Sequence, residues 1–280
     1  MKKKFKLPKY DGEIKQTTFS GSSYFNVIAM YFISHKHDNA CVIFSEPYDV
    51  DIEKTINKKH KHDKSCVLLP KKIDDIPSTQ REVSLRLVQG KNGNDWFISV
   101  PEPNENFWGK FTKCGDKRFI VLPFGFYFSN SGHANWLLYD KITKSLERFE
   151  SYGKVNDKKC LNPDNLDKEI EKLFKENLPK DFIKKYYSPL TFLEDKNIQT
   201  LQEAENEKLE VVGFCSVWSC FWIDLRLSNP DLDRDTVYNL AMKELEEIKK
   251  SGKSYTQFIR NYSQFLVDIS NEIKKMEKKK

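Results

Sequence analysis

The segment from Phe214 to Leu227 constrains this chain more than any other. Trp218, Phe221, Trp222 and Leu225 fall at spacings i, i+3, i+4 and i+7, the pattern of a helix with a heavily apolar face. Such a face must be covered, so the segment predicts a helix seated in a core. Asn229-Pro230 ends it, because proline cannot continue the hydrogen-bond ladder. Gly213 permits a tight entry and places Cys215 in the first turn. There, unpaired backbone N–H groups and the helix dipole favour a thiolate. The same N–H groups are able to stabilise a developing oxyanion. Cys220 points elsewhere and reads as a packed core thiol.

A thiolate nucleophile needs a base. The segment Gly132-His133-Ala134-Asn135-Trp136-Leu137-Leu138-Tyr139-Asp140 puts a histidine at the mouth of a predicted strand. Trp136 to Asp140 and Ser145 to Ser151 alternate as strands do, and Lys141 to Lys144 makes a short polar turn between them. If Lys141-Ile142 is a two-residue loop, His133 sits directly opposite Glu150. A four-residue loop makes the two residues diagonal neighbours on one face. Either register leaves imidazole and carboxylate within reach of each other, the contact that fixes a histidine tautomer and stabilises imidazolium. Taken alone, the pair reads first as an ordinary surface cross-strand contact; here it does not stand alone.

Together these residues resemble a known family. The order His133, Glu150, Cys215 is that of the adenain and Ulp-like cysteine peptidases (clan CE), and the reverse of papain's. The resemblance rests on His133-Ala134-Asn135, Leu138-Tyr139-Asp140 and Glu147-Arg148-Phe149-Glu150-Ser151-Tyr152-Gly153. It continues through Phe214-Cys215-Ser216-Val217-Trp218-Ser219 and Asp224-Leu225-Arg226-Leu227-Ser228-Asn229-Pro230. It covers roughly positions 115 to 230 and is most pronounced with members encoded by giant DNA viruses of the mimivirus type.

The resemblance implies an α+β adenain/Ulp-like fold, a central mixed sheet with the cysteine on the N-terminus of a buried helix. It implies Cys215 as nucleophile, His133 as general base and Glu150 as orienting acid, with no cofactor. The family also carries a glutamine about half a dozen residues before the cysteine, whose amide completes the oxyanion hole. Here that place holds Leu209, and the nearest glutamine is Gln202. The charged stretch Glu203 to Glu210 either loops out and brings Gln202 to the site or leaves it facing solvent. Ala134 also departs from the family, whose Ulp-like members have tryptophan after the histidine; Trp136 is the candidate to replace its packing.

The implied activity is cleavage of a protein substrate, a viral precursor polyprotein or a ubiquitin-like conjugate, with small residues, often Gly-Gly, ahead of the cut. Two other functions remain open. Some bacterial effectors with the same fold and residue order transfer acetyl groups, although no clustered basic pocket for an inositol-phosphate activator is visible here. A catalytically inactive protein-binding module is favoured by the displaced glutamine and disfavoured by the joint presence of His133, Glu150 and Cys215.

Composition bounds the rest. The 280 residues are enough for a sizeable core. No apolar run approaches a membrane span and no signal-peptide pattern follows Met1, so no membrane partner is expected. The six cysteines form no C-x-x-C, which favours a reducing compartment over a disulfide framework. Host cytoplasm or virion is the expected location. The net charge of +6 is concentrated in two tails. Met1–Lys6 carries four lysines, and Lys274–Lys280 carries five lysines and Glu277, so the body between them is slightly acidic. The tails are expected to be solvated, with weak tethering to DNA or an acidic partner as their candidate role. His60, His62 and Cys66, with His35 and His37, superficially resemble a metal site, but their spacing matches no zinc pattern.

Three regions are expected. Residues 1–110 carry short strands, at Ala40–Phe44, Glu82–Val88 and Trp96–Val100, in an amino-terminal region that shapes the substrate groove. Residues 111–230 form the catalytic core, with a strand over Arg118–Phe128 and a polar helix near Leu166–Asn177. Residues 231–280 hold two helices and the lysine-rich tail. In the second of these, Phe258, Tyr262, Phe265 and Ile269 line one stripe.

Overall fold

A computed structural model describes residues 5–10, 29–30, 32–34, 36–43, 85–89, 96–99, 105–128, 131–153, 163–191, 197–205 and 214–277. The elements are β1 (Ala40–Val42), β2 (Leu85–Gln89), β3 (Trp96–Ser99), α1 (Glu105–Thr112), β4 (Phe119–Phe128), β5 (Ser131–Asp140) and β6 (Ser145–Arg148). They continue with α2 (Pro163–Asn177), β7 (Lys185–Tyr187), α3 (Ile198–Glu203), α4 (Phe214–Ser228), α5 (Arg234–Lys250) and α6 (Tyr255–Glu277). His35, His60, His62, Cys66, Gly213 and the ends of both lysine tails lie outside the described residues.

The strands join in one mixed sheet of order β3-β2-β4-β5-β6-β7, and β1 lies beside the first half of β4. β1 and β2 both run parallel to β4, and β6 runs parallel to β7, whereas the central β4–β5–β6 meander is antiparallel. The amino-terminal strands therefore complete the same sheet as the hairpin that carries His133.

Alternation in β4 explains why the sheet needs two cores. Ile120, Leu122, Phe124 and Phe126 pack with Leu137, Tyr139 and Leu146 against Trp108 and Phe111 of α1 and Leu166, Ile170 and Phe174 of α2. Phe119 and Val121, with Trp136, Leu138 and Phe149, face α4, with α5 and α6 completing that core. Burial on both faces accounts for the near-continuous apolar runs of β4 and β5. The aromatic run Phe124–Phe128 belongs to this packing at its two described side chains, Phe124 and Phe126.

The cysteine helix is more deeply enclosed than a single apolar face implies. Every residue of α4 from Phe214 to Leu227 is buried except Cys215, which is half-buried. Trp218 and Phe221 pack against Phe258 of α6, and Phe221 also meets Tyr262. Trp222 turns the other way and stacks on Phe149 at 4.7 Å. Cys215, Ser219, Trp222 and Arg226 thus form the sheet-facing stripe, at i, i+4, i+7 and i+11. Glu147 of β6 accepts hydrogen bonds from Trp222 Nε1 (3.2 Å) and Arg226 Nε (3.0 Å), which sets the register of the helix against the sheet.

Small Ser219 lets the helix cross the sheet closely, but its Oγ is buried and meets no partner among the described residues. Replacing it with alanine removes that unsatisfied hydroxyl and adds helix propensity. Ser219→Ala should raise stability by up to about 1 kcal/mol, whereas the bulkier Ser219→Leu should lower it by about 1–3 kcal/mol. Denaturant midpoints of the two variants check both signs.

The amino-terminal segment is strapped across the far end of α4. Asn229 exchanges two hydrogen bonds with the backbone of Lys6, each 2.8 Å. Tyr10 stacks on Phe265 at 3.6 Å. The fully buried Asp224 carboxylate receives Lys36 Nζ at 2.7 Å, pairs with His37 Nε2 at 2.8 Å and accepts from the Tyr262 hydroxyl at 3.2 Å. His37 is thereby committed to a carboxylate.

The expectation of free thiols does not hold for two of the cysteines. Cys41 in β1 and Cys114 after α1 form a disulfide, with Cα atoms 5.8 Å apart. The sequence hides this bridge because the two residues are 73 apart and meet only when β1 docks beside β4. Cys215 and Cys220 are free. Among the described residues no helix is long and apolar enough to cross a membrane.

Candidate active site

The β5–β6 connection decides how the site is aligned. β5 and β6 pair from Asp140↔Ser145 to Leu137↔Arg148, so Lys141–Lys144 is the four-residue connection. Lys144 closes it in the left-handed region, at φ 52°. In that register Glu150 lies diagonal to His133, which is the third residue of β5 rather than its mouth. The carboxylate reaches across, and His133 Nε2 and Glu150 Oε1 are 2.7 Å apart.

The same register explains how a cysteine on the opposite layer reaches this histidine. The β5–β6 ladder stops at Leu137↔Arg148, so His133 and Ala134 lie beyond its last rung. Cys215, second residue of α4, meets β5 at this opening. Its sulfur lies close enough to the His133 ring and the Ala134 backbone N–H for both to favour its charged form. Because Nε2 is committed to Glu150, Nδ1 is the nitrogen left for the thiol. The ring is wedged between Phe126 (5.1 Å) and Tyr152 (5.4 Å), which limits its tilt.

Electrostatics favour the charged forms of all three groups. Burial alone would push the Cys215 thiol up, but the imidazolium of His133 and the Ala134 N–H bring it below its ordinary value. Burial would likewise depress His133, yet Glu150 and the Cys215 thiolate outweigh it and push it up to about 10. Glu150 is held below the usual carboxylate range despite its burial, first by His133 and then by Arg148. Burial pushes the Cys220 thiol well up instead, so the two free cysteines differ sharply in thiolate character.

Behind Glu150 stands a second tier of buried polar groups. Its Oε2 accepts from Arg148 Nη1 (3.1 Å) and Asn135 Nδ2 (3.2 Å), and Oε1 also accepts from the Tyr152 backbone N–H (3.2 Å). Arg148 also donates to Asp167 of α2, Nε to Oδ1 at 2.8 Å and Nη2 to Oδ2 at 3.1 Å. Tyr186 and Ser188 hydroxyls each donate to Asp167 at 2.6 Å. Arg148 and Asn135 stand in the motifs but carry no legible role there. Asp167 gives no signal, because on a helix with a polar pattern it reads as solvated surface.

Gln202 lies on α3, buried, and its Oε1 accepts from Trp218 Nε1 at 3.2 Å. Of the two sequence alternatives, the solvent-facing one is therefore wrong: the side chain turns toward the cysteine helix. α3 is tied to the Glu150 turn by Asn197 Nδ2 donating to Glu150 O (2.5 Å), Ser151 Oγ to Gln199 Oε1 (2.7 Å) and Tyr152 Oη to Glu203 Oε1 (2.8 Å). At its other end Glu205 caps α6, accepting from the N–H groups of Tyr255 and Thr256, each 3.0 Å. No cluster of three or more metal-binding side chains occurs among the described residues.

No family model matches this chain. It is 30% identical over 181 residues to a protein of Acanthamoeba polyphaga mimivirus named for ankyrin repeats, a match spanning 61% of this chain and 23% of that protein. The chain thus corresponds to less than a quarter of the relative's length. Two solved structures are also similar. The Chlamydia abortus effector protein ChlaDUB is 15% identical, with a TM-score of 0.34 over 83% of this chain and 93% of that one. ChlaDub1 from Chlamydia trachomatis is 11% identical, with a TM-score of 0.37 over 95% and 94%. The architecture read from the chain itself is α+β, a central mixed sheet with the cysteine on the N-terminus of a buried helix.

Proposed function

We propose that the chain is a cysteine peptidase acting on a protein substrate through Cys215, His133 and Glu150. The observation that carries this reading is the cluster in which Cys215, at the start of α4, lies beside the buried imidazole of His133, whose Nε2 bonds Glu150. Cys215 Sγ attacks the scissile carbonyl carbon, and the resulting oxyanion is stabilised by N–H groups at the start of α4 and by the Gln202 amide. The proton taken up by His133 passes to the leaving amine as the C–N bond breaks, leaving a thioester. Water, deprotonated by His133, then attacks the thioester and releases the carboxylic acid product and the thiol. Glu150 keeps the ring oriented and balances its charge throughout. The substrate class proposed is a viral precursor or ubiquitin-like conjugate with small residues ahead of the cut.

Hydrolysis of Gly-Gly reporter peptides and capture by ubiquitin-like vinyl sulfones test the reading. Wild type should form an adduct on Cys215 and turn over the peptide. Cys215→Ala should lose both, with hydrolysis falling by about a thousandfold or more. Peptide turnover that survives Cys215→Ala would remove the thiol from the chemistry. Transfer of an acetyl group from acetyl-coenzyme A in place of hydrolysis would move the same triad to acyl transfer.

A further inference from the structure

The bond between Gln202 and Trp218 carries information that the role of Gln202 alone does not. A glutamine amide has two faces of nearly equal shape. One presents donors and the other presents carbonyl lone pairs, and only the donor face helps an oxyanion. The wrong orientation loses a hydrogen bond and also places a negative dipole on the developing charge.

The indole N–H of Trp218 is a donor only, so the oxygen of Gln202 is the atom that must face it, as it does at 3.2 Å. The two amide hydrogens are then turned away from the indole. Trp218 lies one helical turn after Cys215, and its ring is locked, fully buried between Phe258, near-parallel at 6.1 Å, and Phe221, edge-on at 5.7 Å. The other end of the contact is equally fixed, because α3 is pinned at Asn197, Gln199, Glu203 and Glu205.

We propose that Trp218 is a positioning residue: its indole N–H fixes the orientation of the Gln202 amide so that the donors face the oxyanion formed at Cys215. This rests on the peptidase reading above. It also explains how a glutamine 13 positions before the cysteine serves where the family pattern places one much closer. Depth in the chain is replaced by a bond to the cysteine helix itself.

The test uses two thiol reagents on the full chain. Iodoacetamide alkylates sulfur by displacing iodide and forms no oxyanion. N-acetylglycinal adds its carbonyl carbon to the thiolate and places an oxygen where the oxyanion develops. Trp218→Phe keeps the ring packing and removes the N–H. Iodoacetamide labelling of Cys215 should stay within about twofold of wild type, because nothing in that step uses the amide. Aldehyde affinity should fall about tenfold, the effect of losing one neutral hydrogen bond's bias. Gln202→Ala should fall by a similar factor, and the double variant no further, as for two members of one unit.

An unchanged aldehyde affinity in Trp218→Phe, beside a loss in Gln202→Ala, overturns the role of Trp218 and leaves Gln202 standing. A parallel loss of iodoacetamide labelling also overturns it, since the helix rather than the amide has then been disturbed. If wild type neither binds the aldehyde nor labels selectively at Cys215, the peptidase reading falls and takes this inference with it.

Discussion

At pH 6, alkylation of Cys215 should be at least about a hundredfold faster in wild type than in His133→Ala, the scale on which a positioned base acts. Cys220 should stay unlabelled in both. The expectation follows from the balance at the sulfur. Burial disfavours the thiolate, and the His133 charge with the Ala134 N–H reverses that. Without the imidazolium the burial effect and the Glu150 charge outweigh the Ala134 N–H and the helix start, so the variant should react only on the alkaline side of an ordinary thiol, about 8.5. In wild type the rate should persist well below that pH and decline only as the thiolate itself is protonated. His133 stays charged until about pH 10, so the ion pair should span the neutral range. A rate–pH profile for each protein, with adducts located by mass spectrometry, checks this. Equal labelling of Cys215 in the two proteins at pH 6 would dissolve the proposed pair.

Arg148→Met should cost about 3–5 kcal/mol of stability, because it strands two buried carboxylates, Glu150 and Asp167, that now share one guanidinium. For a chain of this size that is a fall in Tm on the order of 10 °C. Adding Asp167→Leu should recover part of the loss, since an apolar pair is tolerated where a lone charge is not.

The pH dependence has a definite sign. Glu150 is depressed in the folded state, so its contribution is present above the ordinary carboxylate pKa of about 4.3 and is lost as pH falls through the folded value. Arg148→Met removes one of the groups holding it down, so acid unfolding should move to higher pH. His133 is raised, so its contribution is full below about 6.5 and is lost as pH rises through about 10. Circular dichroism melts from pH 3 to pH 10 follow both limbs. An Arg148→Met protein with wild-type Tm and acid midpoint would show that the guanidinium does not hold the site.

Much of the architecture was legible because local patterns carried it. The strand at Phe119–Phe128 and the helix α2 lie within a few residues of where periodicity puts them, and two helices, α5 and α6, follow residue 231 as expected. α4 was legible as a helix but not as one enclosed on all sides. Its apolar spacing described one face, while Asp224 and Arg226 are buried through partners on the amino-terminal segment and on β6. Polar side chains look solvent-facing in a sequence whenever their partners are distant in the chain. The Cys41–Cys114 bridge was missed for the same reason.

The sequence by itself determined the positions of His133, Glu150 and Cys215 on a strand, beside a turn and at a helix start, because short-range spacing encodes these. It left two hairpin registers and two places for Gln202 equally open. Tertiary structure decided both. The four-residue turn set Glu150 diagonal to His133 and ended the β5–β6 ladder at Arg148, which opened the edge where Cys215 enters. The docking of α3 on α4 brought Gln202 to Trp218. These outcomes depend on packing between segments far apart in the chain, where buried polar groups must find partners across layers, and no local pattern specifies which partner each will find.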